Sequence, residues 1–307
     1  MIQNQIALIR RELLEHRAIY VAPLVIALLV SLMSITGQVT ISGFDHALDI
    51  GIIGATNLGA NERSAGITVL MTSLSSVFVF TMWILIVFYA LDALYAERKD
   101  RSILFWRSIP LTDFETVLSK LLTALLIIPL ITFAAIVITH LIVLLITSIW
   151  LGARGANTWH LIWTAAPFFD NWTATLVFLL ALPLWLSPFV GWFLFVSAFA
   201  KRSPLLMASL PIAVLPLLEK IVFKTYILAE AFFVRSVKMP LFQGVDNIEW
   251  LFQEGEDFKT AGDASLSLLS LLDLGGFFGS LNLWSGIIVC GLFTTAAIYV
   301  RRYRDES

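Results

Sequence analysis

The apolar residues of this chain fall in long uninterrupted blocks rather than at spaced positions. Runs without Asp, Glu, Lys or Arg cover residues 18–44, 64–91, 121–153, 171–200, 203–218 and 274–300. A helix that crosses a bilayer needs about 20 mostly apolar residues. Five runs exceed that length, and the run at 203–218 reaches it by borrowing residues up to about Phe223. A membrane β-barrel would instead show alternating segments of about ten residues, which "LLTALLIIPLITFAAIVITHLIVLLITSIW" excludes. The pattern predicts an all-α integral membrane protein, a single domain over 1–307 with six transmembrane helices.

The segments between the blocks carry their own patterns. In "MIQNQIALIRRELLEHR", Ile2, Ile6, Ile9 and Leu13 recur at helical spacing, while Arg11, Glu12, Glu15 and His16 fall largely elsewhere on the wheel. Residues 1–17 therefore read as an amphipathic helix lying in the membrane surface, or as a solvated helical extension. Pro23 then marks roughly where the chain changes direction into the first span. Between the second and third spans, nine charged side chains crowd from Glu97 to Lys120. Within that stretch "SILFWRS" forms an apolar, aromatic knob on a polar stalk, and Pro110 breaks the chain. Thr112 or Asp113 then offers an N-cap, with Glu115 placed for a capping box. A patch of Ile103, Leu104, Phe105 and Trp106 ringed by charge has the anchor-and-rim anatomy of a protein interface; the alternative is that its aromatics lie back on the bilayer.

Residues 224–282 form the longest non-spanning segment. Its apolar stretches "ILAEAFFV" and "SLSLLSLLDLGGFFGSL" flank an acidic middle and read as short outer helices that dip into the leaflet or cap the bundle. The segment 40–71, rich in Gly and small polar residues, reads as an outer loop with one short helix. Asp45, His46 and Asp49 within it lack a fourth ligand and read as a solvated face rather than a metal site.

Composition agrees with the membrane class: hydrophobic residues make up 59% of the chain and charged ones 14%, against roughly 45–50% and 25% in soluble domains. Thirteen of the twenty Lys and Arg residues (Arg10, Arg11, Arg17, Arg98, Lys99, Arg101, Arg107, Lys120, Lys201, Arg202, Arg301, Arg302 and Arg304) fall on one side if the amino terminus is cytoplasmic. The positive-inside rule thus places both termini and the 97–120 loop in the cytoplasm. Trp150, Trp159, Trp163 and Trp172 cluster in the opposite, outer segment as an interfacial aromatic belt. Seventeen residues with five charges precede the first run, which does not read as a cleaved signal peptide. The net charge of −2 leaves no nucleic-acid footprint, and the single cysteine, Cys290, forms no intrachain disulfide.

Catalytic signatures are missing. There is no "GK" dipeptide and hence no P-loop, no His followed by Glu, and no G-x-S-x-G elbow. His140 is the one histidine inside a long apolar run. It is a functional candidate by position, though a neutral His bonded to a neighbouring helix explains it as well. Asp92 ends the second span and either pairs with Arg98 or Lys99 or reaches the interface. Glu219 and Lys220 sit at the outer end of the fifth. Pro183 and Pro188 in the fourth span and Pro211 and Pro216 in the fifth are bending points, or simply the prolines common in membrane helices. A proton or ion relay needs several ionisable groups at mid-depth, and these spans offer almost none.

"ERKDRSILFWRSIPLTDFETVLSKLL" between the second and third spans resembles the permease subunits of ABC transporters of the type-two export class. The opening "RRELLEHRAIYVAPL" is similar to the surface-lying elbow helix with which those permeases begin. The resemblance implies a bacterial cytoplasmic (inner) membrane protein that pairs with a second permease copy, itself or a close paralogue. Each copy would rest on a separate ABC ATPase subunit, which holds the ATP and Mg; this chain would carry no cofactor and no catalysis of its own. The loop 95–120 would be the ATPase-coupling segment, with Ile103, Phe105 and Trp106 as apolar anchors. Glu97, Arg98, Arg101 and Arg107 would supply charged contacts, and Lys201 and Arg202 of "KRSP" a second, smaller contact. Phe80, Trp83 and the Pro211–Pro216 segment would line the substrate path. The nearly charge-free walls suit a lipid or another amphiphilic or hydrophobic substrate. A secondary transporter, or a membrane anchor and scaffold for a soluble partner, is the alternative.

Overall fold

A computed structural model describes residues 2–35, 59–100, 111–153, 155, 157–242 and 267–303. Its helices are α1 (Ile2–Glu15), α2 (Ala18–Ile35), α3 (Ala60–Asp92), α4 (Tyr95–Lys99), α5 (Asp113–Leu122), α6 (Ile128–Gly152), α7 (Phe168–Trp185), α8 (Ser187–Phe199), α9 (Pro204–Val222), α10 (Ile227–Val237), α11 (Leu274–Gly279) and α12 (Leu281–Tyr303). Among the described residues there is no strand, only an isolated bridge between Phe242 and Leu272. Six helical stretches are long and apolar enough to cross a membrane: Ala18–Ile35, Arg63–Lys99, Asp113–Gly152, Phe168–Trp185, Pro204–Val222 and Leu281–Tyr303. Among the described residues the chain is thus an all-helical membrane protein with six candidate spans.

Proline chemistry shapes these spans. The third runs from α5 into α6 through a π-helical turn at Thr123–Ile127, two residues before Pro129. Proline has no N–H for the carbonyl four residues back and its ring crowds that carbonyl; a wider turn just ahead of it absorbs the mismatch. The fourth apolar run is not one helix. It breaks at Leu186 into α7 and α8, between Pro183 and Pro188, with Pro188 accommodated in the first turn of α8. In contrast, α9 continues through both Pro211 and Pro216. Pro23 also lies inside a continuous helix, so the turn into the first span falls at His16–Arg17 instead, nearly two turns earlier than expected. The last run divides at Ser280, between the short α11 and the spanning α12.

Helix α3 is the centre of the bundle. Its buried Phe78, Met82, Ile86, Tyr89 and Ala90 meet Ile19 and Ala27 of α2, Ile128 and Ile136 of α6, Leu179 of α7 and Val190 and Leu194 of α8. Lipid tails are as apolar as leucine, so packing rather than water exclusion holds such helices together, and small residues allow close approach. The tightest crossing is α8 against α12. There, a Cβ on Gly191 would stand 2.9 Å from the Cys290 Cα. The outer faces are sparsely covered: 44% of the second span's apolar window is buried, but only 17% of the first and 11% of the fifth.

The opening of the third span follows from its cap. Thr112 Oγ1 accepts from the Glu115 amide at 3.1 Å, and Glu115 Oε2 accepts from the Thr112 amide at 3.2 Å. This is the expected capping box, with Thr112 rather than Asp113 as the cap.

Candidate functional site

One end of the bundle carries a buried cluster of charge. Glu12 of α1 is fully buried; its Oε1 accepts from Lys120 Nζ at 2.8 Å and its Oε2 from the Tyr89 hydroxyl at 2.8 Å. Glu97 of α4 is 4% exposed and accepts from three cations. Arg11 Nη2 and Lys120 Nζ each lie 3.1 Å from its Oε1, and Arg301 Nη1 meets its Oε2. Arg301 also donates through Nε to Asp113 at 2.9 Å. Three cations (Arg11, Lys120 and Arg301) thus meet three acids (Glu12, Glu97 and Asp113), and Arg11 further holds Glu15 at 2.7 Å. Ions so far from water persist only when paired and hydrogen-bonded, and here each buried carboxylate oxygen of Glu12 and Glu97 has a donor.

The cluster joins four segments remote in sequence: the amino-terminal helix, the end of the second span, the start of the third and the end of the last. It therefore fixes both chain ends of the bundle and the flanks of the 101–110 segment at one face. Polar contacts of α1 reinforce the joint, with Asn4 and Gln5 donating to the Glu115 carboxylate and carbonyl at 3.3 and 3.1 Å. The polar stripe of α1 is therefore turned inward at Glu12, while Ile6 and Leu14 are exposed.

The anticipated contact residues divide. Arg101, Ile103, Phe105, Trp106 and Arg107 lie outside the described residues, as do Asp45, His46, Asp49 and the acidic middle of the 224–282 segment. Glu97 faces the interior cluster instead of solvent. Arg98 caps α8, donating to the carbonyls of Ser197 at 2.7 Å and Ala200 at 2.9 Å, where helix-end carbonyls lack internal partners. Lys201 and Arg202 follow directly and are exposed, so Arg98 and the "KRSP" stretch are neighbours at the same end. Phe80 is exposed, Trp83 packs partly against the core, and Pro211 and Pro216 are half-buried; no common cavity gathers them among the described residues.

Mid-span, His140 has partners that sequence could not name. Trp172 Nε1 donates to its Nδ1 at 3.3 Å, and its Nε2 lies 3.0 Å from the Met71 carbonyl and 3.4 Å from Ser75 Oγ. An indole only donates, so Nδ1 is the unprotonated nitrogen and Nε2 donates to Met71: a neutral ring binding three spans. Glu219 is likewise structural. It accepts from the Ile227 and Leu228 amides and from Thr225 Oγ1 at 2.7–2.8 Å, capping α10. At the same end, Arg235 of α10 stacks on the Trp185 ring with its Cζ 4.3 Å from the centroid and donates to the Asn282 carbonyl.

Every carboxylate of the buried cluster is taken by a cation, which leaves no free base or nucleophile there. The arrangement joins four segments of the chain through paired ions. The chain matches no protein-family pattern, no curated protein and no solved structure, so no relative lends it a function.

Proposed function

We propose that this chain is the permease subunit of an ATP-driven exporter of the type-two ABC class, working as a pair of permeases on separate ATPase subunits in a bacterial cytoplasmic membrane. The observation that carries the reading is the charge cluster. Glu97, Asp113 and Lys120 stand on either side of the 101–110 segment, and all are bound into one buried network with α1 and α12. On this reading a push on that segment reaches the paired ions at its flanks. It passes to the second, third and last spans together. Helix α1, with Ile6 and Leu14 turned outward, lies as an elbow in the membrane surface, and α10 and α11 cap the outer end of the fifth and sixth spans. ATP and Mg reside on the partner, and the substrate is hydrophobic or amphiphilic, moving outward between the paired permeases.

The decisive experiment is purification of the native complex in mild detergent. An ATPase subunit of Walker type is expected to accompany the chain, and Trp106→Asp is expected to strip it off while the permease stays folded. A native complex without a nucleotide-binding subunit ends the reading.

A further inference from the structure

At the same end as the charge cluster, a laterally open groove of about 320 Å³ runs between the start of α2, the last turns of α3 and the start of α9. Its walls are apolar. Leu85 and Phe88 of α3 stand on one side, Ile19 of α2 on another, and Pro204–Leu205 begin α9 on the third. Phe88 and Leu205 are exposed. His16 and Asp92 supply its ionisable head, and Tyr89 and Tyr95 also line it.

Asp92 differs from the acids of the neighbouring cluster. Glu12, Glu15, Glu97 and Asp113 each have an Arg or Lys nitrogen within 3.1 Å. Asp92 is 56% exposed, and its one ion-pair contact among the described residues is His16 Nδ1 at the outer limit of 4.0 Å. His16 is held in place by an edge-on contact with Tyr89 and lies 3.8 Å from Glu12, so the groove's head presents acceptors and negative charge without a strong cation of its own. Asp92 closes a stripe with Leu85, Phe88 and Tyr89 on one face of α3, the i, i+3, i+4 geometry that puts a carboxylate at the head of an apolar wall. The volume is at the lower end of ligand pockets, roughly 300–1,000 Å³, which suits a head group with the first part of a chain.

We propose that this groove is a binding site for a membrane lipid with a primary-amine head group. The ammonium bonds Asp92, and an acyl chain lies along Leu85 and Phe88. A primary ammonium gives the carboxylate charge-assisted hydrogen bonds that a trimethylated one cannot, and charge complementarity disfavours an anionic head group beside Asp92. The site needs no ATPase, so it stands or falls separately from the permease reading.

Native mass spectrometry of the delipidated full-length chain, titrated in turn with dioleoyl phosphatidylethanolamine, phosphatidylcholine and phosphatidylglycerol, tests this. The expected result is preferential retention of the ethanolamine lipid. Asp92→Asn should weaken that lipid alone by about tenfold, as for loss of one charge-assisted bond. Ala18→Trp, which fills the mouth of the groove, should weaken all bound lipid at the site, with the melting temperature of each variant confirming a folded protein. Equal retention of choline and ethanolamine lipids, preference for the glycerol lipid, or an Asp92→Asn protein that binds as before would overturn the assignment.

Discussion

The Glu12–Lys120 pair offers the sharpest test of the buried joint. Lys120→Met keeps a side chain of similar length but removes the charge. Glu97 retains Arg11 and Arg301, whereas Glu12 loses its one Lys or Arg partner among the described residues and keeps the Tyr89 hydroxyl, with His16 at 3.8 Å. Both Lys120 and Glu12 are fully buried. Breaking such a pair from one side costs about 3–5 kcal/mol, because a buried charge is left uncompensated. Glu12→Gln alone is milder, about 1–3 kcal/mol, since Lys120 still has Glu97 at 3.1 Å. In the double variant the orphaned carboxylate is gone, and we expect at least half of the Lys120→Met loss to be recovered. Cys290, the sole cysteine and buried, makes a built-in reporter, because a thiol-reactive fluorophore labels it on unfolding. At about 2 °C per kcal/mol for a chain of this size, the melting temperature of Lys120→Met falls by about 6–10 °C, and the double variant melts above it. A Lys120→Met protein within about 1 °C of the parent, or a double variant whose loss is the sum of the singles, would refute a desolvated, coupled pair. If the proposed permease reading holds, the same double variant should retain an ATPase subunit yet lose substrate-stimulated ATP hydrolysis.

Other consequences follow from close approaches and caps. Gly191→Ala puts a methyl 2.9 Å from the Cys290 Cα, against backbone that cannot yield; the α8–α12 crossing must open at a cost of about 1–3 kcal/mol, seen as faster Cys290 labelling below the melting transition. Glu219→Ala removes three acceptor contacts at the start of α10 and should cost about 1–3 kcal/mol, with hydrogen exchange of the Ile227 and Leu228 amides rising first.

Much of this architecture is written in the sequence, because a span needs only length and the absence of charge. The third span shows both the power and the limit of that signal. Its uncharged run opens at Leu121, but its helix opens at Asp113, since Glu115, Ser119 and Lys120 are buried against protein rather than lipid. The Thr112–Glu115 box announced that start correctly, being a local device. The charge cluster was not legible for the opposite reason. Each of its members reads locally as interfacial or solvated, and only the packing of α1 and α12 onto α5 converts Glu12, Glu97 and Arg301 into interior ions. The same holds for Glu219 and His140, whose partners lie on other helices or beyond the next turn. The break at Leu186 was half visible, in two prolines whose combined effect depends on how α8 locks onto α12.

The sparse covering of α9 bears on what stands beside it. Exposed leucine and isoleucine cost nothing in lipid, so a low buried fraction alone asks for no protein neighbour. Prolines change that balance. Pro211 and Pro216 have no N–H to give the carbonyls of Met207 and Ile212, and an unmet carbonyl in hydrocarbon is costly. Helix α8 already serves one nearby group, with Trp192 Nε1 donating to the Ala208 carbonyl at 3.1 Å. Met207, Leu210 and Leu217 point away from the bundle. A lipid tail cannot donate to a backbone carbonyl, whereas a facing helix with a hydroxyl, an amide or close Cα–H groups can. The proline-bearing span is thus better matched to a protein surface than to lipid, and on the proposed permease reading α9 is the face expected to meet a second copy.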